Sequence, residues 1–193
     1  MPELPEVHTT ATILNTLLPG LIIKDVWSNY GGRFHKGKAN FKDAKYFLHF
    51  KKTVIGKKIE SVSRRGKNVL IHLSGGITIL VHMKMTGHLL YGTYRRTDNE
   101  PQTTHNKKVE WEAIEPETLK DPYNRFVHLV LTLSNGKCLA LSDARKFAKV
   151  TLGNTLRLEE HPDLQHLGPE LIHAPFIFAK FKERLATKPK GKI

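Results

Sequence analysis

NVLIHLSGGITILVHM, residues 68–83, holds two apolar runs separated by Ser74-Gly75-Gly76. Each run is rich in Val, Ile and Leu and too short for a stable helix, and the paired glycines accept the positive φ of a tight hairpin turn, so the stretch reads as two antiparallel strands. The same pattern continues outward. KIESVSRRG (58–66) and GHLLYG (87–92) alternate apolar and polar residues, and FVHLVLTLSNGKCLALSD (126–143) turns at Asn135-Gly136, a strong hairpin dipeptide. FAKVTLGN (147–154) supplies a further strand and LIIKDVWSN (21–29) an early one. Residues 7–18 carry apolar positions at helical spacing and stop at Pro19-Gly20; FKDAKYFLHFKKTVIG (41–56) predicts a second helix stopped by Gly56. The expectation is a mainly β protein with α: a two-layer antiparallel β-sandwich with an N-terminal helix, plus the start of a helical domain.

Residues 94–125 are polar, contain proline and lack a sustained period, which reads as a long surface excursion. The character changes after about residue 155. HPDLQHLGPEL (161–171) reads as loop with a short helix, FIFAKFKERLATK (176–188) as an amphipathic helix, and the basic KPKGKI follows.

The chain has 193 residues, 31 Lys and Arg against 18 Asp and Glu, and a formal charge of +13. Such an excess points to a polyanionic partner, because each cation that neutralises a phosphate releases a counterion. Nucleic acid leads. An anionic membrane surface competes poorly: there is neither a long basic amphipathic helix nor an apolar run of spanning length. No cationic leader is expected with Pro2 and Glu3 at the start. A single cysteine, Cys138, excludes an internal disulfide and a cysteine-based zinc site within these residues, and fits a reducing, cytoplasmic setting.

The opening MPELPEV offers chemistry of its own. A small residue after Met1 leads us to expect methionine excision, leaving the secondary amine of Pro2 as the terminus. With a reference pKa near ~8, part of such an amine is neutral and nucleophilic at pH 7. Condensed with an aldehyde it gives an iminium, an electron sink, and Glu3 is placed to move protons. The plainer reading is a helix start, with Pro early and Glu near the positive dipole end.

PELPEV at residues 2–7 resembles the N-terminus of the formamidopyrimidine-DNA glycosylases, bacterial enzymes that excise oxidised purines. Three further motifs fall in order. SVSRRGKNVLIHL (61–73) is similar to the family's strand-turn-strand bearing a catalytic lysine, here Lys67. HMKMTGHL (82–89) is similar to its HLGMSG segment, whose methionine, here Met85, fills the gap left by a flipped base; Lys84 and Thr86 replace a glycine and a serine. SNGKCLALSDARKFAKV (134–150) resembles its hairpin and DPRRFG, giving Arg145 opposite the orphaned base, Phe147 as a wedge and Lys146 on phosphate. Without that context each has a plainer reading: a solvated turn lysine, a gap-filling Met, a hairpin-end cation and a core Phe. LGPEL (167–171) also matches. Lys190 in KPKGKI would contact phosphate, and Arg125 would replace a family histidine missing from Asn124–Val127.

The resemblance implies residues 1–155 as an N-terminal catalytic β-sandwich domain. Residues 156–193 would be the linker and first helix of an incomplete helix-two-turn-helix domain, before the family's four-cysteine zinc finger. No cofactor is then bindable by this chain; zinc belongs to the finger. The implied function is a DNA glycosylase with AP-lyase activity on oxidised purines (8-oxoguanine, formamidopyrimidines) in base excision repair, a DNA-associated bacterial cytoplasmic monomer. Its partner is double-stranded DNA with oxidised bases or abasic sites. The alternative is a catalytically silent DNA-binding domain of the same family. A pyrimidine-preferring homologue like endonuclease VIII is opposed by Leu4-Pro5 after Glu3 and by the Arg-Lys-Phe wedge, and a basic RNA-binding β-protein by the four ordered motifs.

Overall fold

The computed structural model describes residues 2–30, 36–37, 40–98, 109–168, 170 and 178–186. Its strands are β1 (Ile23–Ser28), β2 (Ile59–Arg65), β3 (Asn68–Leu73), β4 (Ile77–His82), β5 (Gly87–Asp98), β6 (Val109–Glu115), β7 (Val127–Leu133), β8 (Cys138–Asp143) and β9 (Lys149–Asn154). They form two antiparallel sheets, ordered β1-β7-β8-β5-β6 and β2-β3-β4-β9. The expected sandwich is therefore the observed architecture. One core takes Leu129, Leu131, Leu139 and Leu141 from the first sheet and Val62, Val69, Ile71, Ile79, Val81 and Val150 from the second. The stretch 68–83 is the β3–β4 hairpin, paired from Asn68 with His82 to Leu73 with Ile77.

Helix α1 (Leu4–Leu17) lays Val7, Ala11 and Leu14 into this core and rests on β2 and β3. It begins earlier than its apolar period suggests because proline is tolerated in a first turn, where its missing N–H has no partner to lose. Asn15 accepts from the Val62 N–H at 2.7 Å and fixes the helix on β2. Helix α2 (Ala44–Val54) is capped by Asp43, which accepts from the Tyr46 N–H at 2.7 Å, and buries Phe50 and Val54.

The stretch read as a structureless excursion contains a paired hairpin on its described residues. β5 runs on past Gly92 to Asp98 and pairs with β6. Tyr94, Trp111 and Ala113 pack on the outer face of the first sheet with Val130, Cys138 and Ala140, while Arg95 and Glu112 pair on the exposed side at 2.6 Å. Only one face of this edge hairpin is covered, by few apolar side chains, so alternation in the sequence is faint. Short 3-10 turns at Glu117–Lys120 and Pro122–Arg125 close it.

Beyond β9, Leu158, Leu164 and Leu167 cover Leu70 and Leu80 on the outer face of the second sheet. The expected amphipathic helix is helical over Phe178–Ala186, designated α3.

Candidate active site and nucleic-acid interface

Pro2 is half-buried at the lip of α1, and Glu3 is its N-cap. The Glu3 N–H donates to the Glu6 carboxylate, half of a capping box that fixes the peptide following Pro2. From the β2–β3 turn, the Lys67 ammonium reaches the Glu3 carboxylate at 2.5 Å. The structure thus brings Pro2, Glu3 and Lys67 to one place, with both charged side chains accessible, 34% and 55% exposed. With Met1 removed, the Pro2 nitrogen would be an amine beside this carboxylate and ammonium, a set of groups that can attack, accept and return protons.

The turn carrying Lys67 is held from behind. Arg64 is buried, and its guanidinium donates to both carboxylate oxygens of Glu170, at 2.8 and 3.1 Å, and to the Gly66 carbonyl at 2.9 Å. Glu170 also accepts from the Gly66 N–H at 3.2 Å. Burial alone would raise the Glu170 carboxyl, but these hydrogen bonds outweigh it and hold it below the ordinary carboxylate range. Gly66 has φ +56, a conformation that favours glycine, and a Cβ there would meet Leu167 Cδ1 at 2.8 Å, so a side chain at this position would displace the end of Leu167. Leu167 and Glu170 thus close over the turn from which Lys67 projects.

Two exposed loops flank this centre. In the first, between β4 and β5, the Gly87 N–H donates to the Met83 carbonyl at 3.1 Å, and Met85 is 40% exposed beside a buried Met83. In the second, Ala144, Arg145, Lys146 and Phe147 are exposed between buried Asp143 and Ala148. The Arg145 guanidinium lies over the Phe147 ring at 4.8 Å. Asp143 organises both loops. It accepts from the Thr86 hydroxyl at 2.5 Å, the Arg145 N–H at 3.2 Å and the Ala148 N–H at 2.7 Å. Met85, Arg145 and Phe147 therefore ride on one shared carboxylate. Lys146 is exposed next to them, with its backbone in the left-handed region.

Arg125 is exposed and stacked on Phe126 at 4.8 Å. Lys190 lies outside the described residues. Two histidines that the sequence did not single out sit beside the site. His82 pairs with Asn68 and Lys149 across β4, and burial together with Lys84 pushes it down to about 4. His128 is buried, with Nδ1 at 2.9 Å from Asn29 Oδ1; burial, then Lys146, pushes it down to about 4. Both are neutral imidazoles at pH 7. The signal for them was their place at strand ends directly preceding or facing the loops, which a scan for metal-ligand spacing does not register.

Residues 1–150 match the family model of the formamidopyrimidine-DNA glycosylase N-terminal domain. Among curated proteins, the chain is 32% identical over 188 residues to the formamidopyrimidine-DNA glycosylase of Pelotomaculum thermopropionicum, covering 97% of this chain and 56% of that protein. It is 30% identical over 193 residues to that of Heliobacterium modesticaldum, covering 100% and 58%. The chain thus spans about half the length of the curated relatives it matches. Its fold is similar to that of Lactococcus lactis formamidopyrimidine-DNA glycosylase non-covalently bound to DNA containing an AP site, with a TM-score of 0.66, 23% identity and coverage of 96% and 58%. A complex of the Lactococcus lactis protein with DNA containing N7-benzyl-Fapy-dG gives a TM-score of 0.67 at 23% identity, with coverage of 95% and 55%. With its sandwich, its opening PELPEV and a family match over residues 1–150, the chain belongs to the formamidopyrimidine-DNA glycosylase family.

Proposed function

We propose that this chain is a DNA glycosylase with AP-lyase activity on oxidised purines, acting in the bacterial cytoplasm on double-stranded DNA as a monomer through the amine of Pro2. One observation carries the reading: Lys67, from a distant turn, meets Glu3 at 2.5 Å immediately beside Pro2. The basic balance of the chain supplies affinity for the duplex. The damaged nucleotide leaves the stack because no group can reach C1′ inside it, and Met85, Arg145 and Phe147 occupy the vacated space, offsetting unstacking of about a few kcal/mol per step. Lys146, Arg125 and Lys190 are assigned to phosphate.

Once Met1 is removed, the Pro2 nitrogen bonds to C1′ as the glycosidic bond breaks, its electron pair leaving with the base, which takes up a proton. The attached Pro2 nitrogen, now an ammonium, passes its proton to the Glu3 carboxylate; the sugar ring then opens at C1′–O4′ as the freed nitrogen lone pair forms the iminium, and Glu3 delivers that proton to O4′. A proton lost from C2′ and cleavage of the C3′–O bond expel the 3′-phosphate; Lys67 assists protonation and elimination. No step passes through a metal, and Cys138, the single cysteine, is buried in β8, so a four-cysteine zinc site cannot be built from these residues.

Borohydride trapping on duplex containing 8-oxoguanine tests this directly. The processed chain should give a covalent adduct through Pro2, and a chain with one residue retained before Pro2, whose nitrogen is then an amide, should give none. Binding to abasic DNA with no adduct from processed protein would instead select the catalytically silent DNA-binding domain.

A further inference from the structure

We propose that Lys42 is a positioning residue for the loop that presents Arg145 and Phe147. Its buried ammonium holds the Lys146 carbonyl and so fixes the conformation from which the two flanking side chains project. The consequence for DNA rests on the function proposed above; the consequence for the loop does not.

Lys42 is 6% exposed, and its ammonium donates to the Lys146 carbonyl at 2.5 Å. A buried lysine must place its charge on acceptors, and a charge-assisted hydrogen bond to a carbonyl is stronger than a neutral one. The strut stands on a rigid base. The fully buried Phe41 donates its N–H to the Val150 carbonyl at 3.1 Å, the Lys42 N–H donates to Asn40 Oδ1 at 3.0 Å, and Asp43 caps α2. The same ammonium lies over the Tyr30 ring, 5.4 Å from its centroid.

Lys146 has a φ of 59°, a left-handed conformation that a side chain adopts only when the surroundings impose it. Asp143 restrains the N–H groups of Arg145 and Ala148 through its carboxylate and that of Lys146 through its backbone carbonyl at 3.1 Å, but none of these bonds holds the carbonyl of Lys146. Lys42 does. Without the ammonium, Lys146 relaxes to negative φ and the peptide before Phe147 turns over. The guanidinium of Arg145 and the ring of Phe147, now stacked, then separate.

Two readouts on the full chain test this, one without DNA. Trypsin cuts after exposed Arg and Lys in mobile backbone, so native-state nicking after Arg145 or Lys146, located by mass spectrometry, should be about tenfold faster in Lys42→Met, equivalent to about 1.4 kcal/mol of lost restraint. Lys42→Arg, which keeps a charged donor, should restore the slow rate. An unchanged rate in Lys42→Met overturns the proposal; if that variant does not fold, Lys42→Gln, which loses the charge, is scored in the same way.

The second readout uses duplex with a tetrahydrofuran abasic site and 2-aminopurine opposite it. Lys42→Met should lose the rise in 2-aminopurine fluorescence and about tenfold of the preference for abasic over intact duplex, while binding intact duplex within about twofold of the parent. In a Phe147→Ala background the same change should cost no further preference; independent, additive losses overturn the positioning role. A parent chain with no abasic preference would sink the DNA reading, and the trypsin arm would still decide the role of Lys42.

Discussion

Lys84 and Lys146 share one backbone conformation, each with a φ of 59°, and each adjoins an exposed apolar side chain, Met85 in one loop and Phe147 in the other. Left-handed non-glycine residues cost of order 1–3 kcal/mol and persist where surrounding contacts impose them. At Lys146 those contacts come from Lys42 and Asp143, and at Lys84 from the His82 ring, whose Nδ1 accepts from the Lys84 N–H at 3.1 Å. Lys84→Gly should therefore raise unfolding stability by about 0.5–1 kcal/mol in urea titration, the relief of strain being partly offset by glycine entropy. Lys84→Val should lower it, because a β-branched residue tolerates this φ least.

The ion pair of Glu3 and Lys67 places the second prediction at the chemistry. Lys67→Ala should slow strand cleavage by about 10²–10⁴-fold, the range for loss of a positioned proton-transfer group. Affinity for a tetrahydrofuran abasic duplex, measured by fluorescence anisotropy, should stay within about threefold of the parent, since one half-exposed cation among many contributes little to the summed phosphate attraction.

Glu170 predicts an acid-sensitive turn. Its folded pKa lies below the unfolded value, so its stabilising contribution is complete above the ordinary carboxylate range of about 4.3 and is lost as pH falls through the lower folded value. Glu170→Ala leaves the buried Arg64 guanidinium without this partner and should cost about 3–5 kcal/mol at pH 7. Thermal melts of parent and variant should converge as pH is lowered below 4.

His128 acts in a higher window. Burial holds it near 4, against an unfolded value of about 6.5, so the folded state resists a proton that the unfolded state accepts. Stability should fall as pH drops from about 6.5 toward 4, and His128→Gln should flatten that slope in denaturant titrations at fixed salt. An identical slope in parent and variant would remove His128 as its source.

Phe147 is half-exposed, so Phe147→Ala should change folding stability by no more than about 0.5 kcal/mol. The same variant should abolish the 2-aminopurine response to abasic duplex. Loss of the optical signal without loss of the fold separates a wedge from a core residue.

Legibility in the sequence followed the range of the interactions involved. The β3–β4 and β7–β8 pairs were readable because each joins two apolar-rich strands, buried on both faces, through a local glycine-containing turn. The β5–β6 hairpin was not, since its described residues bury one sparse face and leave Arg95 and Glu112 to solvent. At the site, residue types alone left Pro2 and Glu3 as an ordinary helix start, and only family resemblance joined them to Lys67. Arg64, Glu170 and Lys42 carried no signal, because their partners lie 104–106 residues away and nothing local distinguishes a buried cation from a solvated one.

The capping box at the head of α1 uses Glu3 and Glu6, and the helix is fastened below by Val7, Ala11 and Leu14. None of these groups belongs to residue 1. On the proposed chemistry, folding and maturation are therefore separate events: two preparations with the same melting curve and the same circular dichroism can differ in specific activity in proportion to the fraction whose first residue has been removed. The yield of working enzyme is then set by the host's aminopeptidase, and a purification tag belongs at the other end of the chain.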